Sequence, residues 1–444
     1  MRLHIGIDDT DSDKGGCTTY IASLLVERLS KIGARFTDYP NIIRLNPNVP
    51  YKTRGNAAVA LRLQLPASTY ESVREVTLRT IEGNSRIGEN DTDPAAVLLK
   101  GKPTQEITNI SKKALTEIVS VSDAERALRD AGGSAVVYGS GLGLVGALSA
   151  VGQTLSEDHT YELITYRSKG MLGKPRLVDR ESVVRMERLT GRGTFNSYDF
   201  DHKRVLIAPH GPDPVLFGLR GETAGDVYRG FHLIRVGEPI ERWTIFRTNH
   251  GTEAHFQTPE PSRNIAANHP AWFRGLVCEK PRRIVGGHVF LRVLASGRVV
   301  ECAAFEPTGD FKEVVAALIP GDEITVFGGV RNRDPSRQSA LTVNLEKVKV
   351  NRVADDFVAR NPGCPKCGKR MKSAGRNQGY KCPRCRFTSR TAKKQLISRT
   401  RALQPGLYLP DRKAQRHLTK PISRYGLEKR IWDGKPPRGV WHDP

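Results

Sequence analysis

A cluster of acidic residues near the N terminus is the strongest candidate for chemistry. Asp8, Asp9, Asp11 and Asp13 lie within six residues, directly after a short apolar run. Neighbouring carboxylates repel one another unless they share a cation, and Mg²⁺ prefers hard oxygen ligands of this kind. A magnesium ion here would also bind phosphates, so the cluster indicates nucleotide chemistry. The alternatives are an acidic surface turn and an N-cap cluster.

The residues immediately after the acidic cluster are suited to phosphate oxygens. Lys14 supplies a cation, and Gly15 and Gly16 supply backbone N–H groups that can cradle an anion. Thr18 and Thr19 then begin a predicted helix, whose N-terminal dipole favours anions. The segment contains neither the GxxxxGK[ST] pattern of a P-loop nor the DxDxT pattern of phosphatases with an aspartate nucleophile.

Two later stretches contain residues that would complete a nucleotide site. The first places two cations and an amide at the start of a predicted strand, namely Lys52, Arg54 and Asn56. The second is a glycine-rich turn before a predicted helix, with Ser140, Gly141 and Gly143. Such a turn allows a nucleotide to approach the backbone closely, but tight packing explains glycine-rich turns about as often.

Four of the seven cysteines form two CxxC pairs that are fourteen residues apart. They are Cys364, Cys367, Cys382 and Cys385. Each pair places two thiolates on one tight turn, and two such turns complete a tetrahedron around one ion. A redox role is the alternative, but two copies linked by basic residues favour a metal. The spacing predicts a structural Zn²⁺ in a zinc ribbon, with no open coordination position for catalysis.

Charge indicates a polyanionic partner. Lys and Arg outnumber Asp and Glu by 70 to 47, and residues 353–444 contribute 23 basic against 6 acidic side chains, a net charge of +17. Nucleic acid is the natural partner of such a field, and a basic tail that is merely solvated is the alternative. The predicted RNA contacts just after the second CxxC pair are Lys393, Lys394, Arg399 and Arg401.

The sequence also bears on where the protein works. No apolar run approaches the roughly 20 residues of a membrane span. The start of the chain turns acidic within ten residues and lacks the apolar stretch of a signal peptide. We therefore expect a cytoplasmic protein.

The secondary-structure pattern predicts several domains. An α+β or α/β enzyme domain is predicted first, with strands at residues 3–7, 59–65 and 135–138 and helices at residues 21–33 and 114–131. A second predicted domain begins with a strand at residues 161–167 and a helix at residues 182–189, and it ends near residues 259–261. Strands at residues 273–277, 289–295, 299–305, 323–330 and 340–350, with a helix at residues 310–318, then suit an OB-type barrel. Such a barrel binds single-stranded nucleic acid or serves only as a spacer.

Four segments resemble a known family. MRLHIGIDDTDSDKGGCTTY, RLNPNVPYKTRGNAAV, APHGPDPVLFGLRGE and the two CxxC pairs are similar to archaeal tRNA(Ile) agmatinylcytidine synthetases, the TiaS family. The resemblance implies a multidomain α+β fold. It consists of an ATP-binding kinase-like α/β domain at residues 1–157, a ferredoxin-like domain at residues 158–262, an OB-fold at residues 263–352, and a zinc ribbon with a basic region at residues 353–444.

The resemblance also implies a reaction. Such enzymes use ATP to attach agmatine to C2 of the wobble cytidine in the AUA-reading isoleucine tRNA, with release of AMP. Asp8, Asp9 and Asp11 match the family's magnesium-binding acids, and Thr18 matches a threonine that becomes phosphorylated. Arg54 and Asn56 fall in its KTRGN segment and residues 140–143 in its glycine-rich turn. Asp213 and Glu222 are candidates for the agmatine pocket, and structural salt bridges explain such acids at least as often.

Two functions from other classes stay open at this point. A non-catalytic RNA-binding protein would need only the barrel and the ribbon, and the acidic cluster argues against it. A magnesium-dependent phosphohydrolase would use the acidic cluster but would release phosphate without tRNA or agmatine. No membrane and no protein partner are implied.

Overall fold

The computed structural model describes residues 1–12, 14–52, 55–89, 92–257, 265–333 and 341–444. It divides into two compact units. The first unit consists of Met1–Trp272, Phe327–Glu346 and Pro410–Pro444, and the second consists of Phe273–Val326 and Lys347–Leu409. No helix within the described residues is long and apolar enough to cross a membrane.

Residues 1–257 alternate between strands and helices. The strands are β1 (Arg2–Asp8), β2 (Arg35–Phe36), β3 (Asn41–Arg44), β4 (Ala57–Gln64), β5 (Ala95–Lys100), β6 (Ser134–Val137), β7 (Thr160–Arg167), β8 (Thr194–Phe195), β9 (Tyr198–Asp199), β10 (Arg204–Val205), β11 (Val215–Gly221) and β12 (Ile240–Thr248). The helices are α1 (Thr18–Lys31), α2 (Tyr70–Glu82), α3 (Gln105–Lys113), α4 (Val121–Asp130), α5 (Leu142–Gly152), α6 (Arg180–Thr190) and α7 (Ala224–Phe231).

Residues 265–444 are mostly β-structure. The strands are β13 (Pro270–Val277), β14 (Arg282–Arg283), β15 (Val289–Ala295), β16 (Arg298–Ala304), β17 (Glu323–Asn332), β18 (Leu341–Arg352), β19 (Asp356–Arg360), β20 (Lys372–Ser373), β21 (Tyr380–Lys381), β22 (Thr388–Ser389), β23 (Gln395–Arg399), β24 (Gly406–Tyr408) and β25 (His442–Asp443). Helix α8 spans Phe311–Ala316. Short 3₁₀ helices occupy Ala67–Thr69, Lys169–Met171, Gly191–Gly193, Ala254–Phe256, Glu306–Thr308, Arg412–Ala414 and Ile422–Arg424.

One continuous sheet forms the centre of the first unit. Its strand order is β6-β5-β1-β4-β3-β12-β7-β11-β8, with β2 paired to β4 and β25 paired to β12. Strand β1 lies between two other strands of this sheet, since Ile5 pairs with Leu61 of β4 on one side and with Leu98 of β5 on the other. The strand is almost entirely buried. Among the described residues, the only parallel pairing in this sheet joins β3 to β12. The sheet therefore extends through both of the N-terminal regions that the sequence distinguishes.

The single helix predicted over residues 114–131 is wrong. Helix α3 ends at Lys113, and a new helix, α4, begins at Val121. Ser120 is the N-cap of α4 because its hydroxyl accepts a hydrogen bond from the backbone N–H of Asp123 at 3.1 Å. The strands predicted near residues 3–7, 59–65, 135–138 and 161–167, and the helices predicted near residues 21–33 and 182–189, are confirmed within a few residues.

A small barrel and a cysteine-rich module lie between Pro270 and Tyr408. The sheet order β13-β17-β18-β16-β15, with an additional pairing between β13 and β15, describes a closed barrel of five strands, and β14 and β24 add to its edges. Helix α8 lies between the third and fourth long strands, as the sequence predicts for an OB-like barrel. The three short strands β20, β21 and β22 form the sheet of the cysteine-rich module.

The last 35 residues belong to the first unit. Arg424 forms ion pairs with Asp158 at 2.9 Å and with Glu222 at 2.5 Å. The indole of Trp432 stacks on the guanidinium of Arg247, whose carbon lies 3.9 Å from the ring centroid. Strand β25 completes the attachment at the edge of β12. Several basic residues of the C-terminal region are therefore used inside the protein.

Candidate functional site

A cavity of about 740 Å³ lies within the first unit. The loop after β1, the first turn of α1, the start of α5 and the segment before β11 all contribute to its wall. Seven of the site residues predicted from the sequence line this cavity: Asp8, Asp9, Asp11, Thr18, Lys52, Asn56 and Gly143. Because these residues come from three separate stretches of the chain, 8–18, 52–56 and 143, the fold brings together most of the predicted site.

Asp8 is the last residue of β1 and is held tightly against α5. A Cβ atom on Gly146 would lie only 1.7 Å from Oδ2 of Asp8, so only glycine fits at that position of the helix. Burial raises the pKa of the Asp8 carboxyl well above its usual range, and the neighbouring Asp9 and Asp11 raise it further. The site thus concentrates negative charge that a bound cation would stabilise.

Asp9 is held by a hydrogen bond from the segment just before β5. Its φ angle is 56°, in the left-handed region that non-glycine residues seldom adopt. Oδ2 of Asp9 accepts a hydrogen bond from the backbone N–H of Asp93 at 3.1 Å, and the carboxylate of Asp93 accepts one from the backbone N–H of Ser140 at 2.8 Å. Asp93 therefore links the acidic loop to the glycine-rich turn, although its sequence context did not suggest this.

Thr18 is the first residue of α1 and is buried at the cavity wall. Its Oγ1 accepts a hydrogen bond from the hydroxyl of Thr10 at 3.0 Å. The adjacent Thr19 also lines the cavity, and its Oγ1 lies 3.1 Å from Sγ of Cys17. Burial, together with the negative charge of Asp213, raises the pKa of the Cys17 thiol to about 11, so this thiol stays protonated at neutral pH.

Five other predicted residues lie in the same loops without lining the cavity, namely Lys14, Gly15, Gly16, Ser140 and Gly141. The backbone N–H of Gly15 donates to the carbonyl of Ser12 at 3.3 Å, and that of Ser140 donates to Asp93. These two donors are therefore engaged within the loops. Arg54 and Asp13 lie outside the described residues, as does the predicted boundary near residues 259–261.

Charged residues that the sequence reading missed line another part of the cavity. Glu162 on β7 lies opposite Arg220 on β11, and Nε of Arg220 is 3.2 Å from Oε1 of Glu162. Nη2 of Arg44, at the end of β3, is 3.8 Å from Oε2 of the same carboxylate. Burial acts to raise the pKa of Glu162, but Arg220, His250 and Arg44 together lower it well below its usual range.

Two histidines adjoin these charges. His250 is buried, and burial together with Arg220 lowers its pKa to about 4. His417 comes from the C-terminal segment and lines the cavity, with its ring centroid 5.0 Å from that of His250. Arg44 is the main cause of the strongly lowered pKa of His417, followed by burial. Both rings are therefore neutral at physiological pH.

The two candidates for an amine pocket lie in different surroundings. Asp213 lines the cavity, and its Oδ1 accepts a hydrogen bond from the backbone N–H of Val215 at 3.1 Å. Glu222 does not line it; its oxygens bind Arg424 at 2.5 Å and Lys429 at 3.1 Å. Asp213 also forms an ion pair with Arg176 at 3.4 Å, so both acids have a cationic partner, and they differ in that only Asp213 lines the cavity. Glu222 anchors the C-terminal segment.

The four cysteines of the second unit form a metal-binding arrangement. Their Sγ atoms all lie within 4.8 Å of one another, with Cys364 and Cys385 at 3.4 Å and Cys367 and Cys382 at 3.5 Å. Zinc–thiolate bonds of about 2.3 Å in a tetrahedron place sulfurs roughly 3.8 Å apart, so the residues fit Zn²⁺. Within the described residues no other group of three or more such side chains converges in this way.

The basic residues after the ribbon are not equivalent. Lys393 and Lys394 are exposed. Arg399 forms an ion pair with Asp356, and Arg401 forms a pair of hydrogen bonds to Asp322, the first at 2.5 Å. All four are predicted RNA contacts, but the two arginines also form ion pairs within the second unit.

Comparisons with known proteins agree across nearly the whole chain. Residues 4–140 match the model of the TiaS TCKD domain, residues 141–255 that of the TiaS FLD domain, and residues 361–403 that of the TiaS C-terminal zinc ribbon domain. The TiaS of Methanocaldococcus jannaschii, an isoleucine-tRNA 2-agmatinylcytidine synthetase, is 40% identical over 433 residues, which cover 96% of this chain and 100% of that protein.

Two crystal structures are similar as well. The complex of TiaS with its isoleucine tRNA and ATP superposes with a TM-score of 0.87 at 35% identity, covering 99% of this chain and 100% of that one. The complex of TiaS with the same tRNA, AMPCPP and agmatine gives a TM-score of 0.84 at 33% identity over the same shares of the two chains.

Proposed function

This chain belongs to the TiaS family, and we propose that it is an ATP-dependent isoleucine-tRNA 2-agmatinylcytidine synthetase whose reaction takes place in the cavity of the first unit. The observation that carries the proposal is the convergence of Asp8, Asp9, Asp11 and Thr18 on one wall of that cavity. The related structures hold an isoleucine tRNA with ATP, or with AMPCPP and agmatine. The substrates of this chain are accordingly ATP, agmatine and the AUA-reading isoleucine tRNA, and we propose that the reaction takes place in the cytoplasm.

The chemistry explains why ATP is needed. The C2 carbonyl oxygen of cytidine is a poor leaving group, so direct attack by an amine is slow. Phosphorylation of that oxygen converts it into a good leaving group. The primary amine of agmatine then forms the new C–N bond to C2, the C2–O bond breaks, the oxygen leaves with phosphate, and the amine loses a proton. One phosphoryl group of ATP goes to the oxygen, and water cleaves the second phosphoanhydride bond, so that AMP and two phosphate ions are released in total.

We assign the acidic cluster to phosphate chemistry. Mg²⁺ keeps several waters and needs only one or two direct carboxylates, so a loop with three carboxylates on the cavity wall suits this ion. When bound, Mg²⁺ would neutralise charge on the transferred phosphoryl group. Burial beside Asp9 and Asp11 raises the pKa of Asp8, and a bound cation would stabilise its charged form. Lys52 and Asn56 lie on the same cavity and would contact the nucleotide.

The remaining predicted nucleotide residues are proposed as supporting groups. Lys14, Gly15 and Gly16 shape the loop that carries the acids, Ser140, Gly141 and Gly143 shape the start of α5, and Arg54 belongs to the segment of Lys52 and Asn56. Thr18 is the proposed phosphate acceptor within the protein. Mass spectrometry after exposure to ATP should find phosphate on Thr18 and not on Thr19, and Thr18→Ala should abolish the modification.

We assign RNA binding to the second unit and agmatine binding to the cavity. The kinase-like domain then covers residues 1–157, the ferredoxin-like domain 158–262, the OB-fold 263–352, and the zinc ribbon with the basic region 353–444. Cys364, Cys367, Cys382 and Cys385 would hold one structural Zn²⁺. Asp213, on the cavity wall, offers a carboxylate to the cationic ends of agmatine.

One experiment tests this function directly. The protein is incubated with ATP, labelled agmatine and a transcript of the AUA-reading isoleucine tRNA, and the RNA is examined for label while AMP is measured. Label on the RNA, with AMP released only when tRNA and agmatine are both present, supports the synthetase. Constant phosphate release without label would instead identify a magnesium-dependent phosphohydrolase.

A further inference from the structure

Arg44, Glu162 and Arg220 line the cavity but have no role in the chemistry proposed above. Their side chains are largely buried, with exposed fractions of 13%, 4% and 16%. Both arginines share the single carboxylate of Glu162, Arg220 at 3.2 Å and Arg44 at 3.8 Å. In the described part of the chain, neither arginine has a second carboxylate within ion-pair distance.

The charge of this group is therefore not balanced. Two guanidinium groups carry +2, Glu162 carries −1, and the adjacent His250 and His417 are neutral because their pKa values are lowered. The buried Nε of Arg44 has no hydrogen-bond partner among the described residues. Burying an uncompensated charge is costly unless another group binds it. An anion in the cavity would supply the missing charge.

Arg44 is also held rigidly in place. Its backbone N–H donates to Oδ1 of Asn249 at 2.8 Å, and Nδ2 of Asn249 donates back to its carbonyl at 2.9 Å. A Cβ on Gly55 would come within 2.7 Å of both the guanidinium of Arg44 and the ring of His417, so these groups pack closely. Arg44 and Asp11 line the same cavity, which places the guanidinium on the wall that also carries the acidic cluster. Such preorganised donors suit an oxyanion.

We infer that Arg44 and Arg220 form an anion subsite that binds a phosphate group of the nucleotide, such as the pyrophosphate portion of ATP, beside the acidic cluster. This assignment rests on the proposed function, because the phosphate belongs to the nucleotide that the proposed reaction consumes. Glu162 sets the strength of the subsite by partly offsetting the two guanidinium charges. A phosphate of the RNA backbone has the same chemistry and is distinguished below.

The test measures binding of inorganic pyrophosphate with Mg²⁺ to the full chain by calorimetry, without RNA or agmatine, at constant ionic strength. Arg44→Gln and Arg220→Gln should each raise the Kd about tenfold or more, because each removes a charge-assisted hydrogen-bond donor. Glu162→Gln should lower the Kd, because it removes the opposing negative charge. Arg242→Gln is the matched control: its side chain is 10% exposed and pairs with Glu27, but it does not line the cavity. It should leave the Kd unchanged.

The opposite signs separate a binding role from a structural one. If the group only stabilised the fold, Arg44→Gln and Glu162→Gln would affect binding in the same direction or not at all, and the inference would be wrong. Should Arg44→Gln prove unstable in a thermal melt, the double variant Arg44→Gln/Glu162→Gln keeps a neutral pair and should still bind pyrophosphate less tightly than Glu162→Gln alone.

Two further outcomes are decisive. If Arg44→Gln and Arg220→Gln bind pyrophosphate normally but bind tRNA more weakly, the subsite belongs to an RNA phosphate and the nucleotide assignment is overturned. If the unmodified chain labels tRNA with agmatine but the Kd for pyrophosphate is the same in Arg44→Gln, Arg220→Gln and the unmodified chain, only this inference is wrong. Failure of the unmodified chain to label tRNA would instead remove the proposed function.

Discussion

The cavity of the first unit and the metal site of the second are assembled over very different lengths of chain. Residues from Asp8 to His417 meet in the cavity, whereas the four thiolates lie within the 22 residues from Cys364 to Cys385. The cavity depends on a sheet whose neighbouring strands are distant in sequence, and the ribbon depends on two tight turns. Changes in the cavity should therefore affect catalysis through precise placement, and changes in the ribbon should act locally through loss of the metal.

The largest expected effect is on turnover when the acidic cluster is altered. Asp9→Asn should reduce agmatine incorporation on the order of a thousandfold, because the acid needed for the cation at the phosphates is lost. The fold and the affinity for tRNA should be unchanged, which a thermal melt and a filter-binding assay would check. Near-normal incorporation by Asp9→Asn would move the reaction away from this cavity.

A smaller effect should follow from a methyl group placed behind Asp8. In Gly146→Ala the new Cβ would lie 1.7 Å from Oδ2 of Asp8, so the carboxylate must move. A displacement of about 1 Å in an active site reduces rates roughly a hundredfold, and we expect that loss in kcat rather than in tRNA affinity. Gly225→Ala is the control, because a Cβ there meets only Oγ1 of Thr223 at 3.8 Å. Equal kcat values for the two variants would show that Asp8 tolerates movement.

The same contrast explains what the sequence could and could not predict. The zinc site was predictable because all its ligands lie in one short motif. Strand β15 was predicted at its observed bounds, Val289–Ala295, because six of its seven residues are apolar. The acidic loop was recognised because its residues are adjacent in sequence. Arg44 and Glu162 each look like ordinary strand residues, and only the pairing of distant strands brings them together.

Charge composition overstates the number of cations that are available to a partner. The net charge of residues 353–444 suggested one RNA-binding tail, but Arg424 is almost fully buried between Asp158 and Glu222. A sum over the sequence cannot distinguish a cation that faces solvent from one that holds two segments together. The helix predicted across residues 114–131 failed similarly, because apolar spacing continued through a break that the Ser120 cap creates.

The ribbon should respond to loss of its metal without affecting the cavity chemistry. About one Zn²⁺ per chain should co-purify, and Cys364→Ser/Cys367→Ser should abolish it, because two of four thiolates are lost. We expect tRNA affinity to fall about tenfold or more while ATP binding, measured by calorimetry, stays normal. Metal analysis that finds no zinc in the unmodified protein would contradict the assignment of the site.

The smallest effect concerns the exposed lysines after the ribbon. If Lys393 and Lys394 contact tRNA phosphates, their replacement by Ala should weaken binding of all tRNAs about equally, because phosphate contacts do not distinguish sequences. The plot of log affinity against log salt should lose about two units of slope, since each contact on duplex RNA releases roughly 0.9 counterions. Arg401→Ala is the comparison, because its guanidinium binds Asp322. Its loss should lower the melting temperature of the second unit and change the salt slope little. If the lysine variant keeps both its tRNA affinity and its salt slope, the two lysines are only exposed to solvent, and the RNA contacts of the second unit lie elsewhere.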